Sequence, residues 1–438
     1  MLLEYNVSNF RSIYKEQSFN MIAVNSYKEM SDSNLIKYKD KQSLLKSTAI
    51  YGPNASGKST LLESLDIFRD MVLDSFKYDI NHNLPVVPFA FGENSKDEPT
   101  IFNIVFVEDA VKYELELLVD KIRVLEENLI AYPKGKPQEW YSRSYNEDTL
   151  EYEYQYSSFF KGQKKTWEKS TKKNTLYLST AINLQEDENS QLSPIYNWFK
   201  HKLTPISIHG WTDEETKELC IDSQSKDIIV KFLQQAGIDV KDIEFKIEKR
   251  ESFADETEDA SFSKILKELE SLLESELSQE ALDKIKRNIK IRFVHSNGIS
   301  LDLSEQSDGT KKLFAFASLW LKSLSNGKVL FCDELNDNLH PALVKLLVDM
   351  FNSQSNDNNA QLIFTTHETS ILNQEVLRRD QVWFCERDSD LSTKIYPLSD
   401  FKPRKEHENI ENSYLSGRYG AIPYFKKINS KMTLKKES

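Results

Sequence analysis

Cysteine is scarce in this chain. Its three cysteines, Cys220, Cys332 and Cys385, stand far apart among 438 residues and form no Cys-x-x-Cys pair. That excludes a disulfide-built scaffold and a structural zinc knuckle. Cys332 and Cys385 both fall in apolar runs of strand type, as core thiols do in a reducing compartment. Long apolar runs are missing as well: nowhere do 18 apolar residues follow one another, and Met1 to Phe10 alternates like a strand instead of showing a basic leader and an apolar stretch. The expectation is a soluble, cytoplasmic chain with no membrane partner. Positive charge is in deficit, with 57 basic residues against 69 acidic ones and a formal charge of -12. A surface that binds nucleic acid over its whole extent does not fit that balance, although a local basic face does. No internal repeat or low-complexity tract is present. The length suits either two or three ordinary domains or one large α/β domain with an insertion.

What the chain does have is a complete phosphate-binding loop, Gly52-Pro53-Asn54-Ala55-Ser56-Gly57-Lys58-Ser59, followed by Thr60. Ser47 to Tyr51 ahead of it reads as a short buried strand. Behind it, Thr60 to Phe68 places apolar residues at intervals of three and four, as a helix packed on a sheet does. Glycines let the backbone curl, its N–H groups converge on a phosphate, and the helix N-terminus adds favourable partial charge. Lys58 is expected to reach the β- and γ-phosphate oxygens and the Ser59 hydroxyl to hold Mg²⁺.

Leu2 to Val7 and Phe19 to Val24 read as strands joined by Asn9-Phe10-Arg11-Ser12. Alternating segments at Thr100 to Val107 and Lys112 to Val119 read as antiparallel strands, with more at Lys121 to Leu129, Trp140 to Arg143 and Leu150 to Tyr156. Residues 186 to 289 change character. Helices are expected at Leu192 to Leu203 and Lys226 to Gln235, an acidic loop at Glu251 to Asp259, and an amphipathic helix through Ile265, Leu266, Leu269, Leu272, Leu273 and Leu277, with a further helix at Gln279 to Ile289. Such an arm is too short for a long coiled coil. From Lys290 strands return: Ser304 to Thr310 precedes a helix at Lys311 to Leu324, Gly327 to Cys332 is an apolar strand, Pro341 to Ser353 a helix, and Gln361 to Thr365 a strand. This alternation predicts a parallel sheet beside the phosphate loop, with catalytic residues at strand ends.

The strand Lys328 to Cys332 runs into Asp333-Glu334, the form of a Walker B element. Asp333 is expected to hold Mg²⁺ through its water shell and Glu334 to orient the water that attacks the γ-phosphorus. A second apolar strand ends in Thr365-Thr366-His367, where an imidazole can meet the γ-phosphate or that water. Glu334 and His367 are thus the candidate catalytic residues.

On Asn9 to Ser12, Gly52 to Ser59, Leu303-Ser304-Glu305-Gln306-Ser307-Asp308-Gly309-Thr310, Asp333-Glu334, Leu339-His340-Pro341 and Thr366-His367, the chain resembles the ATPases with an ATP-binding-cassette-type head. That group includes the structural-maintenance-of-chromosomes and overcoming-lysogenization-defect proteins, and the resemblance is strongest to the compact bacterial anti-phage ATPases near them. It implies an α/β P-loop NTPase head with an antiparallel β subdomain and a helical insertion. The head would be divided into 1 to 185 and 290 to 400, around the insertion at 186 to 289, with a tail at 401 to 438.

The resemblance also implies an enzyme that hydrolyses ATP with Mg²⁺. It assigns Ser307-Asp308-Gly309 to the signature that meets ATP bound to an opposite subunit, and Asp337-Asn338 to the loop at the dimer seam. A homodimer or larger homo-oligomer, a separately encoded toxic effector of nuclease type and a phage-encoded trigger follow from the same resemblance. With fewer than seventy residues after Ser370, the nuclease domain fused to some relatives is not expected. The signature departs from Leu-Ser-Gly-Gly, and no glutamine takes the usual metal-contacting place; neither Gln163 nor Gln185 is well positioned.

Asn409 to Pro423 resembles the tail of defence-associated members, and Arg418 within it can engage an acid or a phosphate. Lysines 161, 164, 165, 169, 172 and 173, interleaved with Phe159, Phe160 and Trp167, have the composition of a nucleic-acid contact as well as that of a solvated hairpin rim. Lys426, Lys427, Lys431, Lys435 and Lys436 add a basic terminus. The alternatives are a DNA-repair or chromosome-handling ATPase, a nucleotide-dependent scaffold with negligible turnover, and a nuclease hidden within 186 to 290.

Overall fold

Ser47–Tyr51 and Gln361–Thr365 are buried at every position, the pattern of strands covered on both faces, whereas Val111–Val119 alternates between buried and half-exposed residues as a strand with one wet face does. Two kinds of sheet follow. The computed structural model describes residues 1–39, 42–185, 190–206, 212–249, 287–404 and 408–423. The acidic stretch 251–259, the helix expected through 265–277 and the lysines from 426 onward lie outside them.

In chain order the strands are β1 (Leu2–Ser8), β2 (Gln17–Asn20), β3 (Leu35–Lys39), β4 (Gln42–Leu45), β5 (Ser47–Tyr51), β6 (Thr100–Glu108), β7 (Val111–Val119), β8 (Val124–Tyr132), β9 (Gln138–Asn146), β10 (Glu151–Tyr156) and β11 (Leu203–Ile206). They continue with β12 (Asp242–Lys249), β13 (Arg287–Val294), β14 (Ser300–Asp302), β15 (Val329–Cys332), β16 (Gln361–Thr365), β17 (Val382–Arg387) and β18 (Thr393–Pro397). The chain divides into two compact units, the first made of Met1–His209, Ser323–Asp337 and Val344–Ser438.

In that unit a seven-stranded antiparallel sheet runs β10-β9-β8-β7-β6-β1-β2, and a six-stranded sheet runs β11-β15-β16-β5-β17-β18. The second sheet is parallel from β11 to β17, and only its edge strand β18 is antiparallel. The phosphate-loop helix (Lys58–Asp74) buries Leu61, Leu62, Leu65, Phe68, Met71 and Val72, a stripe at helical spacing. Phe68 stacks on Tyr5 and Phe102, and Phe106 stacks on Trp198 with ring centroids 4.1 Å apart. Each such ring contributes about 1.5–3 kcal/mol by leaving water. The core therefore lies directly behind the phosphate loop.

The basic segment near 160 turns two of its three aromatics inward. Lys164–Ser170 is a helix, and Phe160 and Trp167 are 1% and 4% exposed within the main core. Lys172 Nζ donates to Phe76 and Tyr78 carbonyls. Of the three aromatics only Phe159 is exposed, so the segment offers no stacking platform for bases.

The second unit comprises Gly210–Lys322 and Asn338–Leu343. It contains the antiparallel sheet β12-β13-β14 and the helices Glu214–Leu219 and Ser223–Gln235. Phe293 of β13 meets Phe314 edge-on, and Trp320 stacks on Phe316 at 5.0 Å. Phe314, Phe316 and Trp320 belong to the helix Asp308–Asn326, which begins three residues before the sequence-based start at Lys311. The cause is a cap: Ser307 Oγ accepts the Thr310 N–H at 3.2 Å, so Asp308 and Gly309 already lie in the first turn.

Candidate functional site

The phosphate loop owes its shape to two glycines. A β-carbon on Gly52 would stand 2.1 Å from the Cys385 carbonyl oxygen, and one on Gly57 would stand 1.9 Å from Thr393 Oγ1, with φ at +106°. Neither position admits a side chain. The 17-residue helix that follows starts with no side-chain cap and no acid in its first turn, which leaves its N–H groups and partial positive charge for an anion. Lys58 is 5% exposed, and its ammonium donates to the Gly52 and Pro53 carbonyls at 2.8 and 3.0 Å. Burial pushes its pKa down, against the pull of Cys385, Asp333 and Glu334. A phosphate would compensate that buried charge. The Ser56 hydroxyl is also buried and finds no partner among the described residues.

The parallel sheet brings the ends of β5, β15 and β16 side by side, so the loop, the acids and the histidine converge from distant parts of the chain. Ser59 Oγ donates to Asp333 Oδ2 at 2.7 Å, and Thr365 Oγ1 donates to Asp333 Oδ1 at 2.6 Å. One hydroxyl and one carboxylate are hard oxygen ligands of the number that Mg²⁺ takes from protein when phosphate and water fill the rest. Among the described residues no three histidine, cysteine or carboxylate side chains gather as a metal site, and a phosphate-borne Mg²⁺ needs none.

Glu334 adopts φ of +46°, a conformation that costs a residue with a β-carbon about 1–2 kcal/mol. It is held there by its own N–H on Thr365 Oγ1 at 2.7 Å, the Leu335 N–H on Thr365 O and the Asp337 N–H on Glu334 O. Asn336 Oδ1 accepts from Thr366 Oγ1 and the His367 N–H. The imidazole lies below the ordinary histidine range, because of burial first and the Lys58 ammonium second, while Asp333 pulls the other way. A proton-resonance titration of the free protein is therefore expected to place His367 below an ordinary histidine. Lys58→Met removes a positive neighbour and should move its midpoint back up. A midpoint at or above the ordinary value would contradict this placement.

Thr393 and Arg387, which sequence reasoning passed over, hold the loop together with Ser12. Ser12 Oγ bonds Thr60 Oγ1 at 3.0 Å and Thr393 Oγ1 at 2.8 Å, and Thr393 Oγ1 also reaches Ser56 O. Arg387 Nε donates to Ala55 O at 2.6 Å. Asn9-Phe10-Arg11-Ser12 thus reaches the site through its serine, while Phe10 is core and Asn9 supports the 95–98 loop. A cleft of about 900 Å³ opens beside the loop, between Gly52–Ser56, His367 and the tail residues Tyr414, Leu415, Ile422 and Pro423. The tail is pinned by the Ala421 N–H on Glu386 and by Tyr396 OH on Tyr419 O. Arg418 pairs with Glu408 of the same segment at 2.9 Å.

Ser307 and Gly309 lie in the second unit, where a β-carbon on Gly309 would stand 3.3 Å from the Asn338 carbonyl. The Ser307–Gly309 turn and Asn338 are thereby neighbours. Asp308 is largely exposed and sits 3.6 Å from Lys311.

A glycine-rich loop between a buried parallel strand and an uncapped helix, with a serine on a strand-end aspartate, defines a P-loop nucleoside triphosphatase. Residues 47–373 match the family described as AAA domain, putative AbiEii toxin, Type IV TA system. The chain belongs to that family and is an ATP-binding, ATP-hydrolysing enzyme. The family ties it to ATP-dependent regulation in defence systems. Among solved structures it is similar to the SMC head domain from Thermotoga maritima, with 13% identity, a TM-score of 0.40, and 90% of this chain and 98% of that one covered. It is similar as well to the Smc head domain with an extended coiled coil bound to the C-terminal domain of ScpA, derived from Pyrococcus furiosus. There the identity is 13% and the TM-score 0.38, with 92% and 97% covered. No functionally curated protein matches the chain. No helix among the described residues is long and apolar enough to cross a membrane.

Proposed function

We propose that the chain hydrolyses ATP with Mg²⁺ in a site completed by the Ser307-Asp308-Gly309 turn of a second copy, and that the nucleotide state of this dimer governs a separately encoded toxic effector of nuclease type. The observation that carries the catalytic half is the Ser59–Asp333 hydrogen bond, which joins the phosphate-loop helix to the end of β15.

In this reading Lys58 exchanges its two loop carbonyls for β- and γ-phosphate oxygens. Ser59 and, through its water shell, Asp333 would hold Mg²⁺, which would neutralise charge developing on the phosphates. Glu334, in its left-handed conformation, orients and polarises the attacking water. His367, whose pKa its surroundings lower, accepts from that water or donates to the γ-phosphate. Ser307 and the first-turn N–H groups of Asp308–Asn326 supply a second anion-binding helix end from the partner copy. The trigger would act by differential affinity for the assembled and separated states. The toxin–antitoxin description of the family supports the defence role, and the loss of the stacking platform near residue 160 removes support from a DNA-handling role.

Complementation tests the composite site. Lys58→Ala removes the loop cation, and Ser307→Asp keeps the helix cap while setting a negative charge against the triphosphate. Each variant alone should be inactive. Mixed, they form one intact site in each heterodimer, so roughly a quarter of native turnover should return. Equal inactivity of the mixture and its components would refute the shared site.

A further inference from the structure

We propose that Thr365 is a positioning residue whose single hydroxyl sets the direction of both strand-end acids. This deepens the reading of Asp333 and Glu334 given above and rests on it. Thr365 ends β16 with no exposure to solvent. Its Oγ1 donates to Asp333 Oδ1 at 2.6 Å and accepts the Glu334 N–H at 2.7 Å, so one atom bonds both acidic residues. A hydroxyl has one proton; with that proton on the carboxylate, a lone pair remains for the amide. The polarity of both bonds is fixed.

Two consequences follow. Asp333 is gripped at each oxygen, by Ser59 from the phosphate-loop helix and by Thr365 from the adjacent strand. If Ser59 left the carboxylate for a metal, the bond from Thr365 would still keep the carboxylate plane from rotating. Glu334, meanwhile, occupies an unfavourable backbone conformation, and Thr365 holds it there through Oγ1 on the Glu334 amide and its carbonyl on the Leu335 amide. One residue further along, Asn336 laces the same strand ends again by accepting from Thr366 and the His367 N–H. The metal-holding acid, the water-orienting acid and the histidine thus share one frame, of which the Thr365 hydroxyl is the central atom. Valine would fill the same volume with the same β-branched backbone preference, and it would make neither hydroxyl bond.

Three variants separate the hydroxyl from packing. Thr365→Val keeps the shape, Thr365→Ser keeps the hydroxyl, and Thr365→Ala keeps neither. Phosphate release is followed against Mg²⁺ concentration at saturating ATP, and ATP binding is measured separately in EDTA. Thr365→Val and Thr365→Ala should lower turnover and raise the Mg²⁺ requirement, each by about 10- to 100-fold, as loss of an outer-shell partner does. Thr365→Ser should stay within about threefold of native turnover, since the hydroxyl bonds survive. Metal-free ATP affinity should be native in all three. If Thr365→Val does not fold, the Ser and Ala pair decides by the same comparison. The inference is overturned if turnover and Mg²⁺ requirement are native without the hydroxyl, if Ser is as impaired as Ala, or if metal-free binding falls in step with turnover. Glu334→Gln is assayed alongside. Retained turnover there defeats the underlying reading of the acid, whereas an inactive Glu334→Gln beside a native-like Thr365→Val defeats this inference alone.

Discussion

Lys58→Ala should reduce ATP turnover by about 10³-fold, the upper range for removing one charge-stabilising donor from a preorganised site. The lysine's ammonium lies on the Gly52 and Pro53 carbonyls of the phosphate loop, where burial pushes its pKa down. Equilibrium ATP binding should weaken by about 10- to 100-fold, as loss of hydrogen bonds from a charged donor to an anion implies. Folding should survive, because the loop shape is set by Gly52, Gly57, Ser12, Thr393 and Arg387, not by the ammonium. Lys58→Met, which keeps most of the aliphatic stem, is the matched control and should behave alike. Phosphate release and a fluorescent-nucleotide titration check both numbers; turnover within a few-fold of native in either variant would remove Lys58 from the mechanism.

The second large effect concerns stability. Glu127 on β8 and Arg143 on β9 are both fully buried and face each other at 3.7 Å. Glu127 accepts from Tyr141 OH and from the Tyr177 and Leu178 N–H groups, at 2.7, 2.6 and 2.8 Å. Arg143 donates to the Thr175 and Lys172 carbonyls and lies 4.0 Å over the Tyr152 ring. Burial pushes the Glu127 pKa up while Arg143 and these donors pull it back. Removing either partner strands the other charge away from water, so Glu127→Ala and Arg143→Met should each destabilise the first unit by about 3–5 kcal/mol. The double change to apolar residues should cost less than the sum, because no charge is left unpaired. Urea denaturation checks this. Single-variant losses under about 1 kcal/mol would mean that water reaches the pair.

Much of the site was legible because its motifs are local. Gly52 to Ser59 declares a loop with the right neighbours, and Asp333-Glu334 and Thr366-His367 each close a fully buried strand. Alternation of strands and helices after 290 was enough to expect the parallel sheet, and β16 falls where the pattern put it. The rest depends on partners far away in sequence. Thr365 shows no periodic signal that separates it from any other buried strand residue, and only the placement of β15 beside β16 turns its hydroxyl onto the acids. The loop's support by Arg387 and Thr393 comes from β17, whose pairing with β5 spans more than three hundred residues, and from β18, which pairs with β17. Within 186–289 the helical reading missed β11, which is short and pairs with the distant β15, and β12, a charged strand paired with β13, whose first residues fall where a helix to Ile289 was expected. Near 160 composition left two readings open, because interleaved lysines and aromatics look alike whether the rings face solvent or, as with Phe160 and Trp167, the core.

The central claim, a nucleotide site shared between two copies, is met most directly by light-scattering mass with and without Mg-ATP, for the native chain and Glu334→Gln, with phosphate release followed on the same samples. The account predicts that Glu334→Gln loses turnover and accumulates as an ATP-dependent dimer or larger assembly, while the native protein associates transiently. If ATP bound without any change in mass and turnover persisted in Glu334→Gln, both the assignment of Ser307 to Gly309 across an interface and the catalytic role of Glu334 would be contradicted.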